Sequence, residues 1–405
     1  MVALSAYRWR LTFLFLVLGL FGAFAQVEVK GIVVFDDKPV EGASVFLSGT
    51  TYGTVSSDTG EFLLEVPVGK YSLVVSHLGF KNVVYELNTA ELPERLKVVM
   101  EEGEIALKEV VLEGKMSAED RAYFLNQFKS EFIGRGLFSS QCKLLNPDDL
   151  RFSYDRQSGT LRVYADKALI LRNTALGYEI NYSLEYFAQQ GLQTSFLGYS
   201  RYTPLKGNKR KQKQWIQNRL RAYAGSRRHF FSAIANRRST VEGFLISQFV
   251  RKRNPLYPTE KELERAKAVL RKVGTLNFSS RNQKPKTAAD SAGVIIRRSR
   301  EVSKMVDQVY AVGIADSLLF RKYDGKTVFQ FDDNLRVSYS AQGTPFESDE
   351  MPKRTLESIV IPLSQPNTIL PSGVLEVPLN VFYEGHWSTE KMAVSLPLDY
   401  RPFEE

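Results

Sequence analysis

The stretch SSDTGEFLLEV, Ser56 to Val66, sets the tripeptide Asp58-Thr59-Gly60 in front of an alternating apolar run. Asp-Thr-Gly can hold a catalytic carboxylate of the aspartic-protease type, and it is also an ordinary tight-turn sequence. The protease chemistry needs two carboxylates sharing one proton. The chain has no second Asp-Thr-Gly or Asp-Ser-Gly, DSAG at Asp290 is out of pattern, and Glu61 stands where the protease loop continues with Ser or Thr. A turn needs less: an Asp at its start to accept backbone N–H groups and a Gly that takes positive φ at its end. A hairpin loop between two strands is therefore expected, with Asp58 shaping it and Gly60 ending it.

Working outward, short period-two runs alternate with turn residues from Gln26 to about Met100. VEVKGIVVF, ASVFLSG, TYGTVSS, EFLLEV, YSLVVSHLGF, KNVVYEL and LKVVM are the candidate strands. Seven short strands at this spacing predict a small all-β sandwich. Within YSLVVSH, Tyr71, Leu73, Val75 and His77 share one face.

The order of these runs carries a resemblance. Gly31-Ile32-Val33, Pro39 to Val45, Gly53 to Phe62, Gly69 to Leu73 and Gly79-Phe80 together resemble the carboxypeptidase regulatory-like module. That resemblance covers about a fifth of the chain. It implies a transthyretin-like sandwich of about seven strands, of the kind that often precedes TonB-dependent outer-membrane transporters in Gram-negative bacteria. LKEVVLEG, Leu107 to Gly114, is similar to the segment that follows the module there. Only 291 residues follow Gly114, which is short for a plug and a large barrel, so a complete transporter is not expected. The catalytic domain of a zinc carboxypeptidase is not expected either. Its zinc needs His and Glu ligands at set spacing with one open position. None of the three histidines, His77, His229 and His386, has Glu three residues on.

The N-terminus reads as an export signal. Arg8 and Arg10 precede the uncharged run LTFLFLVLGLFGAFA, which closes on Ala23-Phe24-Ala25. The run is short for a membrane-spanning helix, which takes ~20 apolar residues. Residues 1–25 are expected to be removed before Gln26. No cysteine follows to carry a lipoprotein anchor, and no later segment reads as a transmembrane helix. The single cysteine, Cys142, is expected to be a buried small side chain.

Charge is unevenly spread. Residues 201–300 hold 26 Lys and Arg against 5 Asp and Glu, whereas the flanking segments are mildly acidic. Asymmetry of this kind bears on partners rather than on fold. The domains are expected at 26–101 for the sandwich, 102–136 for a linker with an amphipathic helix, and 137–405 for an α+β region. That region should contain an antiparallel sheet and bring the amphipathic helices to two or three. MSAEDRAYFLNQFKSEFIG predicts the first helix, with Ser117 as N-cap and a Phe124, Phe128, Phe132 stripe. KGNKRKQKQWIQNRLRAYAGSRRHFFSAIANRR predicts a basic helix with Ile216, Leu220, Tyr223, Phe230, Phe231 and Ile234 inward, kinked or divided at Gly225-Ser226. PTEKELERAKAVLRKVG predicts another, with a Thr259–Glu262 capping box and Leu263, Ala266, Val269, Leu270 and Val273 as its stripe. RNQKPKTAADSAG reads as a flexible loop. Asp332-Asp333-Asn334 reads as a hairpin turn rather than a calcium loop, since the EF-hand spacing of acids is absent. LNPDDLRFSYD, LGYEINYSLEYF, RAYAGSRRHFF and GHWSTEKMAVSLPLDYRP are similar to an uncharacterised extension that accompanies the module in other envelope proteins. No active-site residues come with that similarity.

No G-x-S-x-G, P-loop, G-x-G-x-x-G or C-x-x-C motif is present. No catalytic residue, metal ligand or cofactor is expected. The candidate site is RAYAGSRRHFF, where Arg221, Arg227, Arg228 and His229 could converge on an anion, guanidinium being a bidentate binder of phosphate and carboxylate. The rival reading is a solvated basic helix face. The expected function is a non-enzymatic exported protein, in the periplasm or at the outer membrane, with a sandwich docking module and a basic region. Its partner would be an anionic envelope component or an outer-membrane protein, not nucleic acid. Two alternatives are an envelope hydrolase of unfamiliar class and an accessory subunit docking to an outer-membrane transport complex.

Overall fold

The computed structural model describes residues 26–103, 116–273, 285, 287–349, 351–370 and 372–404. The expected export signal at 1–25 and the Leu107–Gly114 segment lie outside them. The chain forms two compact units, Met1–Tyr223 with Thr389–Glu405, and Ala224–Ser388.

The first unit opens with eight strands: β1 (Gln26–Phe35), β2 (Lys38–Pro39), β3 (Ser44–Leu47), β4 (Gly53–Val55), β5 (Glu61–Pro67), β6 (Lys70–Ser76), β7 (Val83–Asn88) and β8 (Leu96–Val99). They make two four-stranded sheets. In one, β1 pairs antiparallel with β2 and β5 and parallel with β8; the other runs β4-β3-β6-β7. The alternation seen in the sequence sets the faces. Phe62, Leu64 and Val66 of β5 point inward while Glu61, Leu63 and Glu65 point out. Leu73 and Val75 meet them from β6, with Tyr71 packed at the margin. The N-terminal part is thus the expected β-sandwich.

The turn at its centre does something other than expected. β4 belongs to one sheet and β5 to the other, so Asp58-Thr59-Gly60 is a corner between sheets and not a hairpin. Asp58 is exposed and accepts one bond, from Thr59 N at 2.9 Å. The serines before it do more. Ser57 Oγ accepts Glu61 N at 3.1 Å. Buried Ser56 donates to Val40 O at 2.7 Å and accepts from Ala43 N at 2.8 Å. Gly60 has φ +74, its carbonyl accepts Val33 N at 2.8 Å, and a Cβ on it would stand 2.5 Å from Val33 O.

The chain continues through α1 (Ala118–Phe132) into β9 (Cys142–Leu144), β10 (Leu150–Asp155), β11 (Thr160–Ala165), β12 (Leu169–Asn173), β13 (Tyr178–Gln190) and β14 (Gln193–Pro204). These six strands form one antiparallel sheet in which β13 pairs with β14, β12 and β11. α1 is capped as predicted, Ser117 Oγ accepting Asp120 N at 3.0 Å, and lays Phe124, Phe128 and Phe132 into the sheet's core. Phe128 and Phe132 stack at 4.9 Å. Cys142 is buried in the same core, which pushes its thiol up to about 12. The last residues of the chain return to this unit. Met392 and Ala393 enter the core, and Thr51 N donates to Asp399 Oδ1 at 2.9 Å.

α2 (Lys209–Tyr223) completes the first unit. Its buried residues are Trp215, Asn218, Ala222 and Tyr223; of the expected stripe Tyr223 is buried, but Ile216 is 41% exposed. Trp215 Nε1 donates to Thr174 O at 2.9 Å and Asn218 Nδ2 to Ala175 O at 2.8 Å. The polar Asn turns inward because the turn it meets offers carbonyls, which periodicity of apolar residues does not register.

In the second unit, α3 (Arg227–Ala235) is followed by β15 (Phe244–Arg253), α4 (Glu260–Val273), α5 (Ala288–Glu301) and β16 (Met305–Val312). Then come β17 (Phe320–Tyr323), β18 (Lys326–Phe329), β19 (Asn334–Tyr339), β20 (Leu356–Pro362), β21 (Asn367–Ile369) and β22 (Val381–Gly385). The main sheet runs β16-β15-β19-β20-β22 and a smaller one β17-β18-β21. The described residues hold five helices, against two or three expected; a divided basic helix is among the expectations, and α5 is not. Gly225 at φ +77 and the Ser226 cap divide the basic helix into α2 and α3. The AADSAG part of the supposed flexible loop opens α5, held by a Thr287–Asp290 capping box. The Thr259–Glu262 box of α4 forms as predicted, with Glu262 N on Thr259 Oγ1 at 3.2 Å. Asp332-Asp333-Asn334 is not a hairpin either: β18 and β19 lie in different sheets, and the hairpin turn is Asp324-Gly325.

The corner at Ser56–Gly60 yields an ordered pair of outcomes. Gly60→Ala should lower unfolding free energy by about 1–3 kcal/mol, the range for forcing a side chain into a left-handed position. Asp58→Ala, which removes one exposed bond, should stay within about 0.5 kcal/mol. Urea unfolding of the two variants checks the order, and an Asp58 variant as damaged as the Gly60 variant would contradict this account of the corner.

Candidate functional site

The four candidate residues fall in both units, Arg221 on α2 in the first and Arg227, Arg228 and His229 on α3 in the second. In the second unit the break before α3 explains where its three side chains go. Ser226 Oγ accepts His229 N at 3.1 Å, so the helix starts with its ring-bearing residue in the first turn. His229 is fully buried against Phe244, Tyr339 and Phe346. Gly225 N–H donates to Nδ1 at 2.9 Å, which leaves the ring proton on Nε2, 3.1 Å from Glu242 Oε2. Glu242 is held in turn by Arg238 Nε at 2.7 Å on its other oxygen.

Burial holds the His229 pKa below its ordinary value, against the opposing pull of Glu242. Glu242 moves down: burial would raise it, but its bonds from His229 and Arg238 outweigh that. His229 is thus a neutral bracket between Gly225 and Glu242, with both ring nitrogens engaged inside the fold. The other carboxylates with shifted pKa values, Asp155, Glu262, Glu264 and Asp307, also move down. That is the direction of hydrogen-bonded, ionised groups rather than of a general acid.

Arg227 and Arg228 are half-buried and lead to different neighbours. The Arg227 guanidinium lies 5.0 Å over the Tyr383 ring, and Arg228 Nε donates to Ser372 O at 2.9 Å. In the first unit the Arg221 guanidinium lies 5.7 Å over Phe138, and its buried Nε has no hydrogen-bond partner among the described residues. Arg219, not singled out by sequence, is more tightly held. It donates to Leu176 O at 2.8 Å and stacks 4.2 Å over Tyr178. The helix face of RAYAGSRRHFF is therefore largely spoken for by structural contacts.

Two further features lay beyond the reach of sequence reading. On the main sheet of the second unit, Arg251 forks between Asp307 (Nε, 2.8 Å) and Glu384 (2.8 and 2.9 Å), and Arg336 adds a 3.4 Å contact to Asp307. Both guanidiniums cover the buried Phe249 ring. The four charged residues come from four strands, so no local motif announces them. In the first unit a groove of about 1090 Å³ runs between the His77–Asn82 loop and the six-stranded sheet. Four of its charged side chains pair with one another, Arg151 with Asp166 and Lys167 with Asp149, while Lys81 pairs with Glu101 and Glu185 accepts from Asn82. Among the described residues no three His, Cys, Asp or Glu gather where they could hold a metal ion. No described helix is long and apolar enough to cross a membrane.

Residues 29–112 match the family model of the CarboxypepD_reg-like domain. No curated protein sequence matches the chain. Solved structures similar in part include a type II Cohesin-X-Dockerin complex from Acetivibrio cellulolyticus. It is 18% identical over 25% of this chain and 72% of that one, with a TM-score of 0.18. A DUF3823 family protein from Bacteroides ovatus is 9% identical over 45% and 83%, with a TM-score of 0.17. A putative membrane-associated protein of unknown function from Bacteroides fragilis is 8% identical over 89% and 94%, with a TM-score of 0.15.

The bracket at His229 has a pH signature. Because its folded pKa is depressed, the unfolded chain takes up the proton first as pH falls. The stability it supports is complete above about pH 6.5 and declines below it, by up to about 1.4 kcal/mol per pH unit. Urea midpoints at pH 7.5 and 5.5 should therefore separate more in the wild type than in His229→Gln. Equal separation in both would show that His229 is not the titrating group.

Proposed function

We propose, from the CarboxypepD_reg-like domain at residues 29–112, that this is an exported, non-enzymatic docking protein of a Gram-negative cell envelope. The sandwich serves as its protein-facing module, and the basic α+β part meets an anionic component of the envelope. The observation that carries the reading is the charge distribution. Between Glu185 and Glu242 the chain has twelve Lys and Arg and no acid. A field of one sign recruits partners of the opposite sign and does so in a salt-dependent way. The apolar run closing on Ala23-Phe24-Ala25 supports export. With His229 buried and bonded on both nitrogens, the anion contact belongs to exposed cations rather than to that ring.

Fractionation tests the reading. The tagged protein should sediment with envelope membranes at low salt and move to the soluble fraction at about 0.5 M NaCl, where charges are screened within a few ångströms. A protein recovered soluble at low salt, or one found in the cytoplasm, would overturn the proposal.

A further inference from the structure

The cations of the first unit fall into two kinds. Many outside α2 have carboxylate partners, among them Lys81 with Glu101, Arg95 with Glu61, Lys97 with Asp37, Arg135 with Glu131 and Arg172 with Glu179. Arg219 is committed to a carbonyl and a ring. Five cations crowd together at and just before the start of α2. Lys206, Lys209, Arg210, Lys211 and Lys213 are all exposed, and none has an ion-pair partner among the described residues. No acid stands in the helix's first turn.

We infer that Lys206–Lys213 is an electrostatic docking patch for an anionic phospholipid bilayer. The inference rests on the proposed function above and names the anionic component. Four of the five cations are lysines, point charges on flexible stems, which suit a laterally mobile sheet of phosphates better than the fixed geometry of a bidentate site. Clusters of this size are attracted to anionic leaflets by each charge additively. Ile216 continues the stripe of Lys209 and Lys213 at helical spacing and is exposed, so one apolar side chain faces the same side as the charges. A single isoleucine is far less apolar area than the core of a protein interface requires, but it suits the boundary between headgroups and acyl chains.

Vesicle co-sedimentation of the full protein tests this. Vesicles of phosphatidylcholine with about a third phosphatidylglycerol should bind the wild type at low salt, and pure phosphatidylcholine should not. Replacing Lys206, Lys209, Arg210, Lys211 and Lys213 together by Gln should weaken binding at least ~tenfold, from the additive attraction of several charges. A second variant with Lys261, Arg265, Arg271, Lys272 and Arg297 changed to Gln carries the same net charge and should bind nearly as the wild type does. The melting temperature of the first variant should be unchanged or higher, which excludes unfolding as the cause. Equal losses in the two variants would reduce the effect to bulk charge and overturn the patch. If the wild type ignores phosphatidylglycerol vesicles yet leaves envelope membranes with salt, the bilayer inference fails and the docking function stands. If it does neither, both fail.

Discussion

The sandwich depends on how the chain leaves one sheet and enters the other between β4 and β5. The crossing must be tight, and its backbone groups must be satisfied away from any strand ladder. Ser56 does this on the buried side by bonding the backbone at Val40 and Ala43. Gly60 does it on the other by giving its carbonyl to Val33 while holding a left-handed backbone. Once these are fixed, Phe62, Leu64 and Val66 have no freedom of register. A one-residue slip would turn all three to solvent and Glu61, Leu63 and Glu65 into the core. Asp58, the residue that attracts attention in the sequence, contributes least.

This corner also marks the limit of what was legible. Alternation located the strands of the sandwich, and capping chemistry located α1 and α4, because both signals live within a few residues. Strand partners do not. Asp58-Thr59-Gly60 and Asp332-Asp333-Asn334 both have hairpin composition, and both hand the chain to a different sheet. Turn residues specify a change of direction, and the partner is chosen by long-range burial. The same cause explains α5. Its first turn is written in a loop-like string, and only the Thr287–Asp290 box shows where the helix begins.

For the candidate site, the sequence identified the residue types but not their occupancy. Arg221, Arg227, Arg228 and His229 look like an anion clamp when written in a row. In the fold, Arg227 meets Tyr383, Arg228 a carbonyl at Ser372, and His229 turns inward to Gly225 and Glu242. The inward turn follows from Gly225. A Cβ there would stand 2.4 Å from the Tyr339 ring, so only glycine lets the chain pass, and its N–H then needs the acceptor that Nδ1 supplies. Trp387 Nε1 takes the Gly225 carbonyl at 2.8 Å. One residue without a side chain thereby fixes a histidine, a tryptophan and a tyrosine.

Helix electrostatics separates the cations that stabilise from those that do not. The positive end of the helix dipole favours acids in the first turn and bases in the last. α1 begins with Glu119 and Asp120, α4 with Glu260 and Glu262, and α5 with Asp290, and all three end with Lys or Arg. α3 begins with two arginines, but both have partners within the unit. α2 begins with Lys209, Arg210 and Lys211 and has neither acids nor ion-pair partners there. Those side chains raise the energy of their own helix and repel one another, so packing and local stability do not account for them. An external negative charge would lower that energy, which is the physical ground for proposing the docking patch at the start of α2.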